Sequence, residues 1–345
     1  MQKFNEYVMD ILRAGVDKKA SDIHLISDHP VCYRIAGELR SFDESKILDS
    51  SLCREVIKFL VSDDQFLIAD SGDEINIMIN IEEIGRFRLL IYKNGGNLGA
   101  TLRIIPIGEV PTFEELGLPE VLNDLIDNKS GLILITGPNG SGKTTTLASI
   151  MSNINKKRKS HIISFEDPVE HIITPEKSII RQREISHDSA SFDQGLRYCL
   201  RADPDVVILT ETRTLASISS ILTIAETGHL AIAGLHTRTT SETIERTIDV
   251  FPPYQQSQIR KQLASVLLAI ISQRLVPHDG QLKLISEVLV NIDEVKRAIL
   301  EDDMKKIAEI LRRHRSMYSG SDQGIQSFAQ SMEKLNLKLQ NKDNE

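Results

Sequence analysis

The chain reads as an α/β protein, a larger domain with a mainly parallel central sheet preceded by a smaller α+β domain. Three observations predict this. From Phe113 onward, short apolar runs alternate with helix-like stretches, the pattern of strands joined by crossover helices. Before Pro106 the chain is rich in alternating, β-type segments with only brief helical stretches. Between the two lies Pro106-Ile107-Gly108 through Pro111, punctuated by proline and glycine as linkers are. The expected organisation is therefore a first domain at 1–105, a linker at 106–112 and a second domain at 113–345, the last with a helical C-terminal part.

The first domain opens with a helical stripe over 2–17, its apolar positions at Phe4, Val8, Ile11, Leu12 and Val16. SDIHLISDHPVCYRIAGELRSF then alternates like paired strands, turning at Ser27–Pro30 and again near Gly37. His24 sits inside such a strand without a cluster of partners, so a structural role is the default over metal ligation. Leu52–Leu60 reads as a helix, and INIMINI, RFRLLIYKN and LGATLRIIP as three more strands. In the second domain a helix is expected over Phe113–Asp127, with a break at Gly117–Pro119. SHIISF, SIIRQR, DVVIL and HLAIAGLH are its next strands, with helices at Ser189–Arg201 and Leu215–Glu226. From Glu242 onward helices are expected to dominate, with a polar, frayed tail after Leu337.

Composition excludes several classes. At 345 residues, with 41% hydrophobic and 26% charged residues, the chain matches an ordinary globular protein with room for two cores. A net charge of −8, with no basic stripe interleaved with aromatics, argues against nucleic acid as a partner. The longest apolar run, Val266–Ile271, is far too short to span a bilayer, so any membrane contact is expected to be indirect. The opening segment is amphipathic and charged rather than a secretion signal. Cys32, Cys53 and Cys199 are dispersed and odd in number, which points to reduced cytosolic thiols and no zinc site.

Residues 131–157 organise the second domain. Leu132–Thr136 is a buried-strand run, and a polar start leads into helix-forming sequence after the loop. Between them, Gly137-Pro138-Asn139-Gly140-Ser141-Gly142-Lys143-Thr144-Thr145 contains the P-loop pattern in the strand–loop–helix context it requires. Glycines let backbone N–H groups curl around a polyphosphate, and the helix N-terminus adds positive potential. Lys143 can reach the β- and γ-phosphates, and the Thr144 hydroxyl can ligate Mg²⁺. The alternative is a glycine-rich turn with a stray lysine, but the context favours a nucleoside triphosphate, with ATP and Mg²⁺ as the expected cofactors. GTP is disfavoured because no N-K-x-D follows the loop.

Other residues gather around that reading. In DVVILTE an apolar strand delivers Glu211 to its C-terminal end, where open α/β sheets bind ligands and a P-loop site needs an acid for Mg²⁺. Glu166, in Glu166-Asp167-Pro168-Val169-Glu170, also follows an apolar strand. Activation of the attacking water and helix capping are equally open for that cluster. His229 and His236 bracket the strand in TGHLAIAGLHT, so they fall at its two ends and only one can approach phosphate. Arg86 and Arg88 share one face of RFRLL, and Arg103 lies on the next strand; a solvated face accounts for them as well as a catalytic role does.

Taken together, GPNGSGKT, EDPVE, LRADPDVVILTE and AETGHLAIAGLHT resemble the motifs of the type II/type IV secretion ATPases, in that family's order and spacing. KKASDIHL in the first domain and TIDVFPPYQQSQIRKQLASVLLAIISQRL beyond the histidines extend the likeness, which is strongest to the PilT-like branch of twitching-motility motors. The resemblance implies a RecA-like ATPase domain behind a PAS-like domain, assembled as a homohexameric ring. It also implies that Glu166 serves the hydrolytic water, that Glu211 serves the metal, and that His229 or His236 contacts nucleotide. Arg88 and Arg103 would close on the γ-phosphate across a domain or subunit boundary. The implied partner is an inner-membrane, PilC-like pilus platform protein, which places the protein in the cytoplasm, peripheral to that membrane. Without a longer N-terminal region or a four-cysteine zinc insert, the expected work is pilus retraction.

Two departures stand against the family pattern. Thr210 and Thr214 flank Glu211 and Arg213 where G-E-x-R-D is usual. Val295-Lys296-Arg297-Ala298-Ile299-Leu300-Glu301-Asp302 replaces the A-I-R-N-L-I-R-E motif of retraction motors. A motor of a type IV secretion or conjugation apparatus, or a non-hydrolysing paralogue that regulates a motor ring, are the alternatives these leave.

Overall fold

The computed structural model describes residues 2–35, 37–105, 110–185, 188–278, 281–316 and 325–334. The chain divides into two compact units, residues 1–109 and 110–345. Residues 106–109 of the expected linker, residues 317–324 and the tail beyond Leu337 lie outside the described residues.

The first unit runs α1 (Gln2–Asp17), β1 (Asp22–Leu25), β2 (His29–Pro30), β3 (Cys32–Ile35), β4 (Glu38–Ser41) and β5 (Ile47–Leu48). It continues with α2 (Ser50–Leu60), α3 (Asp63–Ser71), β6 (Ile75–Ile81), β7 (Gly85–Asn94) and β8 (Asn97–Ile105). Six strands form an antiparallel sheet in the order β4-β3-β1-β8-β7-β6, and β2 pairs with β5 apart from it. Alternation decides its faces. Phe87, Leu89 and Ile91 of β7 point into a core with Ile23, Tyr33 and Leu102, closed by Val8, Ile11 and Leu12 of α1 and Val56 and Ile57 of α2. Arg86, Arg88 and Arg103 fall on the opposite face. Helix α3, unanticipated by apolar periodicity, is signalled by its cap: Ser62 accepts from Gln65 N while the Gln65 side chain accepts from Ser62 N, and Gly72 closes the end at φ 113°.

The second unit begins with two short helices, α4 (Phe113–Leu116) and α5 (Val121–Leu125), separated at Gly117, whose φ of 67° ends the first. There follow β9 (Gly131–Thr136), α6 (Lys143–Lys157), β10 (His161–Glu166), β11 (Ile179–Glu184), α7 (Phe192–Cys199), β12 (Val206–Leu209), α8 (Leu215–Glu226) and β13 (Leu230–Leu235). The order is completed by α9 (Thr240–Asp249), α10 (Pro253–Val266), β14 (Leu267–His278), β15 (Gln281–Val290), α11 (Asp293–Leu300), α12 (Met304–Ser316) and α13 (Phe328–Lys334). Seven strands form one sheet, β11-β10-β12-β13-β9-β14-β15, parallel except for β15. As parallel sheets require, both faces are covered. Leu132 and Leu134 of β9 join the core under α8 to α12, while Ile133 and Ile135 join the core under α4, α5 and α6.

The expectation of helices from Glu242 onward is corrected here. After α9 and α10 the chain forms the long hairpin β14–β15. Central β9 has backbone groups on two edges to satisfy; β13 takes one and β14 the other, pairing Ile270 with Leu134 and Ser272 with Thr136.

The cysteines follow from this burial. Burial pushes the Cys199 thiol up to about 11 and raises that of Cys53, while Cys32 is only half-buried. Thiolate content and access set reactivity. Titration with a thiol reagent at pH 8 should therefore modify Cys32 alone in native protein and all three cysteines in denaturant. Rapid native modification of Cys199 would contradict the packing of α7.

Candidate active site

Five strand ends meet at one edge of the parallel sheet, because adjacent parallel strands in register finish together. Thr136 ends β9 beside Leu235 of β13, Phe165 of β10 pairs with Leu209 of β12 and Glu166 with Glu184 of β11, while β14 passes Thr136 at Ser272 and runs on. The loop 137–142, Glu166, Glu211 and His236 all leave the sheet at this edge.

The loop's conformation depends on its glycines. Gly137, Gly140 and Gly142 take φ values of 152°, 73° and 85°, the region glycine adopts freely. At Gly137 space is equally restrictive: a Cβ would fall under 3.0 Å from the Gln273 carbonyl oxygen and Ser141 Oγ. Pro138, Asn139 and Gly140 form the exposed crest, Ser141 is buried, and Thr144 and Thr145 are half-buried at the start of α6. Lys143 is 9% exposed, and its Nζ donates to the carbonyls of Gly137 (2.8 Å) and Pro138 (3.1 Å). Burial lowers its pKa, the Glu211 carboxylate opposes that, and Arg213 adds to it. The ammonium is thus a poorly hydrated cation held beside an acid.

Glu211 emerges two residues past β12 and accepts from both Arg213 Nε and His236 Nε2. Its loop crosses close to β13: Thr212 N donates to Gly234 O at 2.9 Å, and a Cβ at Gly234 would lie under 3.0 Å from the Thr210 carbonyl oxygen. Thr214 caps α8 by accepting from Ser217 N, so a threonine performs at this position the capping that an aspartate could. Glu166 is 3% exposed at the end of β10, where its Oε1 accepts from Ser164 Oγ (2.5 Å) and Gln182 Nε2 (2.9 Å). Gln182 also donates to His171 O and accepts from Ile173 N, which ties the segment after the Asp167–Pro168 cis peptide to β11.

The two histidines part company. His236 joins Glu211 at the loop edge, whereas His229 precedes β13 at the opposite edge, its Nδ1 within 3.1 Å of Thr227 Oγ1 and beside a cleft lined by Lys129, Lys159 and Asp203. His229 therefore takes no part in this chain's own loop-edge cluster. In the first unit, Arg88 and Arg103 stand directly opposite in the β7–β8 register. Two cations so placed repel. Asp22, opposite Arg103 on β1, offsets this with an ion pair at 3.1 Å, and Arg88 Nε donates to Asn76 Oδ1 at 3.0 Å.

Sequence reasoning assigned no role to the buried polar groups beneath the loop. Thr136 Oγ1 and Ser272 Oγ are 2.6 Å apart, and Thr243 links Thr136 to Thr237, the residue after His236. Gln273 donates from Nε2 to Ser141 O at 2.7 Å. The one signal available was a serine–glutamine pair directly after the apolar run Leu267–Ile271, in Ile271-Ser272-Gln273.

The profile of the family described as Type II/IV secretion system protein matches residues 2–337. This chain belongs to that family. YggR of Escherichia coli is 35% identical over 93% of this chain and 96% of its own length. The type IV pilus retraction ATPase PilT of Pseudomonas aeruginosa is 33% identical over 93% of this chain and 91% of its own. The crystal structure of the pilus retraction motor PilT with bound ADP superimposes with a TM-score of 0.85, at 35% identity, over 94% of this chain and 96% of that one. Kinship and P-loop together make the family member described here an ATPase with a RecA-like second domain.

Among its described residues no helix is long and apolar enough to cross a membrane. Substituting Gly137→Ala should destabilise the fold by about 1–3 kcal/mol, read as a lowered melting temperature, because the added Cβ must displace β14 backbone. It should also abolish tight nucleotide binding, as should Lys143→Ala, which removes the cation from a desolvated loop. Fluorescent-nucleotide titration reads both. Undiminished binding in either variant would contradict this assignment.

Proposed function

We propose that this protein is the motor ATPase of a pilus-retracting machine, working as a homohexameric ring against an inner-membrane platform protein on the cytoplasmic side. The observation that carries the reading is full-length likeness to pilus retraction ATPases, in sequence and in structure. The loop-edge cluster supplies chemistry suited to it. Loop N–H groups and Lys143 would neutralise the β- and γ-phosphates of ATP. Thr144 and Glu211 would hold Mg²⁺, a fitting donor set, since this ion needs only one or two protein oxygens beside phosphate and water. The ion would supply charge neutralisation at the transferred phosphoryl group.

Glu166 would orient and deprotonate the attacking water. Its position is fixed by Ser164 and Gln182, so the carboxylate arrives already aimed. His236 and Arg213 would hold Glu211 in place through their shared hydrogen bonds. In the ring, Arg88 and Arg103 would present paired positive charge to the nucleotide from across a domain or subunit boundary, as an arginine finger does.

Glu166→Gln and Glu211→Gln should each bind ATP yet hydrolyse it about 10²-fold more slowly or worse. Normal turnover in both would refute the assigned roles. Arg88→Ala and Arg103→Ala should lower kcat far more than they weaken binding, by up to about 10³–10⁵ for a true finger. Unchanged turnover of both variants at saturating ATP would remove them from the mechanism. In cells, deletion of the gene should leave or increase surface pili while abolishing retraction-dependent behaviour. Loss of all pili would point to extension, and normal retraction to a regulatory paralogue or another secretion machine.

A further inference from the structure

A phosphate-binding loop works only if its N–H groups face the ligand, so its carbonyl groups must be held the other way. Gln273 of β14 is placed to do this. It is fully buried and stands one residue past Ser272, which pairs with Thr136 at the end of β9. Strand alternation then sends the Gln273 side chain to the face opposite Ser272. There its Nε2 donates to the carbonyl of Ser141 at 2.7 Å, and the same nitrogen would sit 3.4 Å from a Cβ built on Gly142. Its own main-chain oxygen occupies the space that a side chain at Gly137 would need. One residue thus packs against Gly137 and Gly142 and fixes the Ser141–Gly142 peptide.

Two further atoms mark the spot as strained in its polar accounting. Gln273 Oε1 and Ser141 Oγ are both buried and have no hydrogen-bond partner among the described residues. Native proteins rarely leave such groups unpaired, and a buried amide that packs poorly is normally replaced by an apolar residue. The surroundings offer that alternative, since Ile271 and Leu275, two residues to either side, share its face of the strand. An amide here requires a compensating role, and the Ser141 carbonyl is the one group it bonds among the described residues.

We infer that Gln273 is a positioning residue for nucleotide binding: its amide holds the Ser141 carbonyl away from the phosphates and thereby sets the loop. It acts through the loop and touches no reacting atom. The inference rests on the P-loop being the nucleotide site, which Lys143→Ala tests separately in the same titration.

The test compares Gln273→Met, which keeps length and volume without a donor, with Gln273→Glu, which sets an acceptor against the Ser141 carbonyl. Fluorescent ADP titration, steady-state ATP turnover and thermal melting without nucleotide are measured on the full chain. Because a buried carbonyl loses its partner, Gln273→Met should weaken ADP binding roughly tenfold and raise KM in step, with kcat reduced by less than about threefold. Gln273→Glu should weaken binding further, and Gln273→Asn, with a shorter reach to Ser141, should not restore it. A structural role alone would lower the melting temperature and leave the affinity of the folded fraction unchanged, and that result would overturn the inference. So would a fall in kcat at unchanged KM, which would place the residue on the reacting groups. Should Gln273→Met fail to fold, Gln273→Glu decides by the same criteria.

Discussion

Everything at the loop edge depends on the pairing of β14 with β9. The P-loop strand is central, so both of its edges must be bonded, and its last residue is where the loop departs. β14 satisfies the strand and then continues beyond it, and its next residue places backbone and side chain of Gln273 under the loop. Ser272 bonds the hydroxyl of Thr136 from the same strand. The loop's shape thus rests both on the positive φ that its glycines permit and on support from a neighbouring strand. Glycine-rich backbone has the most freedom to lose on folding, so such external support is what makes a defined cradle possible.

The same edge gathers charge in an ordered way. Lys143 is a buried cation whose ordinary hydration is replaced by two carbonyls and the nearby Glu211 carboxylate. Glu211 in turn is held by Arg213 and His236. Charges preset in a poorly hydrated site need not reorganise when a phosphoryl group transfers, which is where much of the catalytic effect of such sites arises. The hydroxyl chain from Ser272 through Thr136 and Thr243 to Thr237 ties the segment bearing His236 to the strand bearing the loop. Phosphate-side and histidine-side geometry are therefore set by one buried network.

The departures from the family pattern acquire structural content. Thr214 caps α8, so its change from aspartate preserves the helix start. The segment Val295–Asp302 forms most of α11, with Val295, Ala298 and Ile299 buried in the main core and Asp302 paired with Arg260 at 2.7 Å. Its apolar face matches what a helix packed on this sheet requires. On the exposed face Lys296 and Glu301 stand where the motif has isoleucine and arginine, Arg297 keeps its arginine, and on the buried side Ala298 replaces the asparagine.

Much of the fold was legible in the chain alone. The strand–helix alternation, the P-loop and the acids at strand ends are local signals, carried by periodicity, glycine and the termini of apolar runs. The resemblance of the motif set added the family. What the chain alone could not decide was non-local. Which histidine shares the loop edge follows from the direction of β13, and it is His236. That Asp22 compensates the Arg88–Arg103 pair follows from the β1–β8 register. The β14–β15 hairpin interrupts a region expected to be mainly helical, because its apolar run has no helical or strand period of its own and only the unpaired edge of β9 selects the strand. Gln273 was silent for the same reason: its meaning lies in what stands beside it, 132 residues away in sequence.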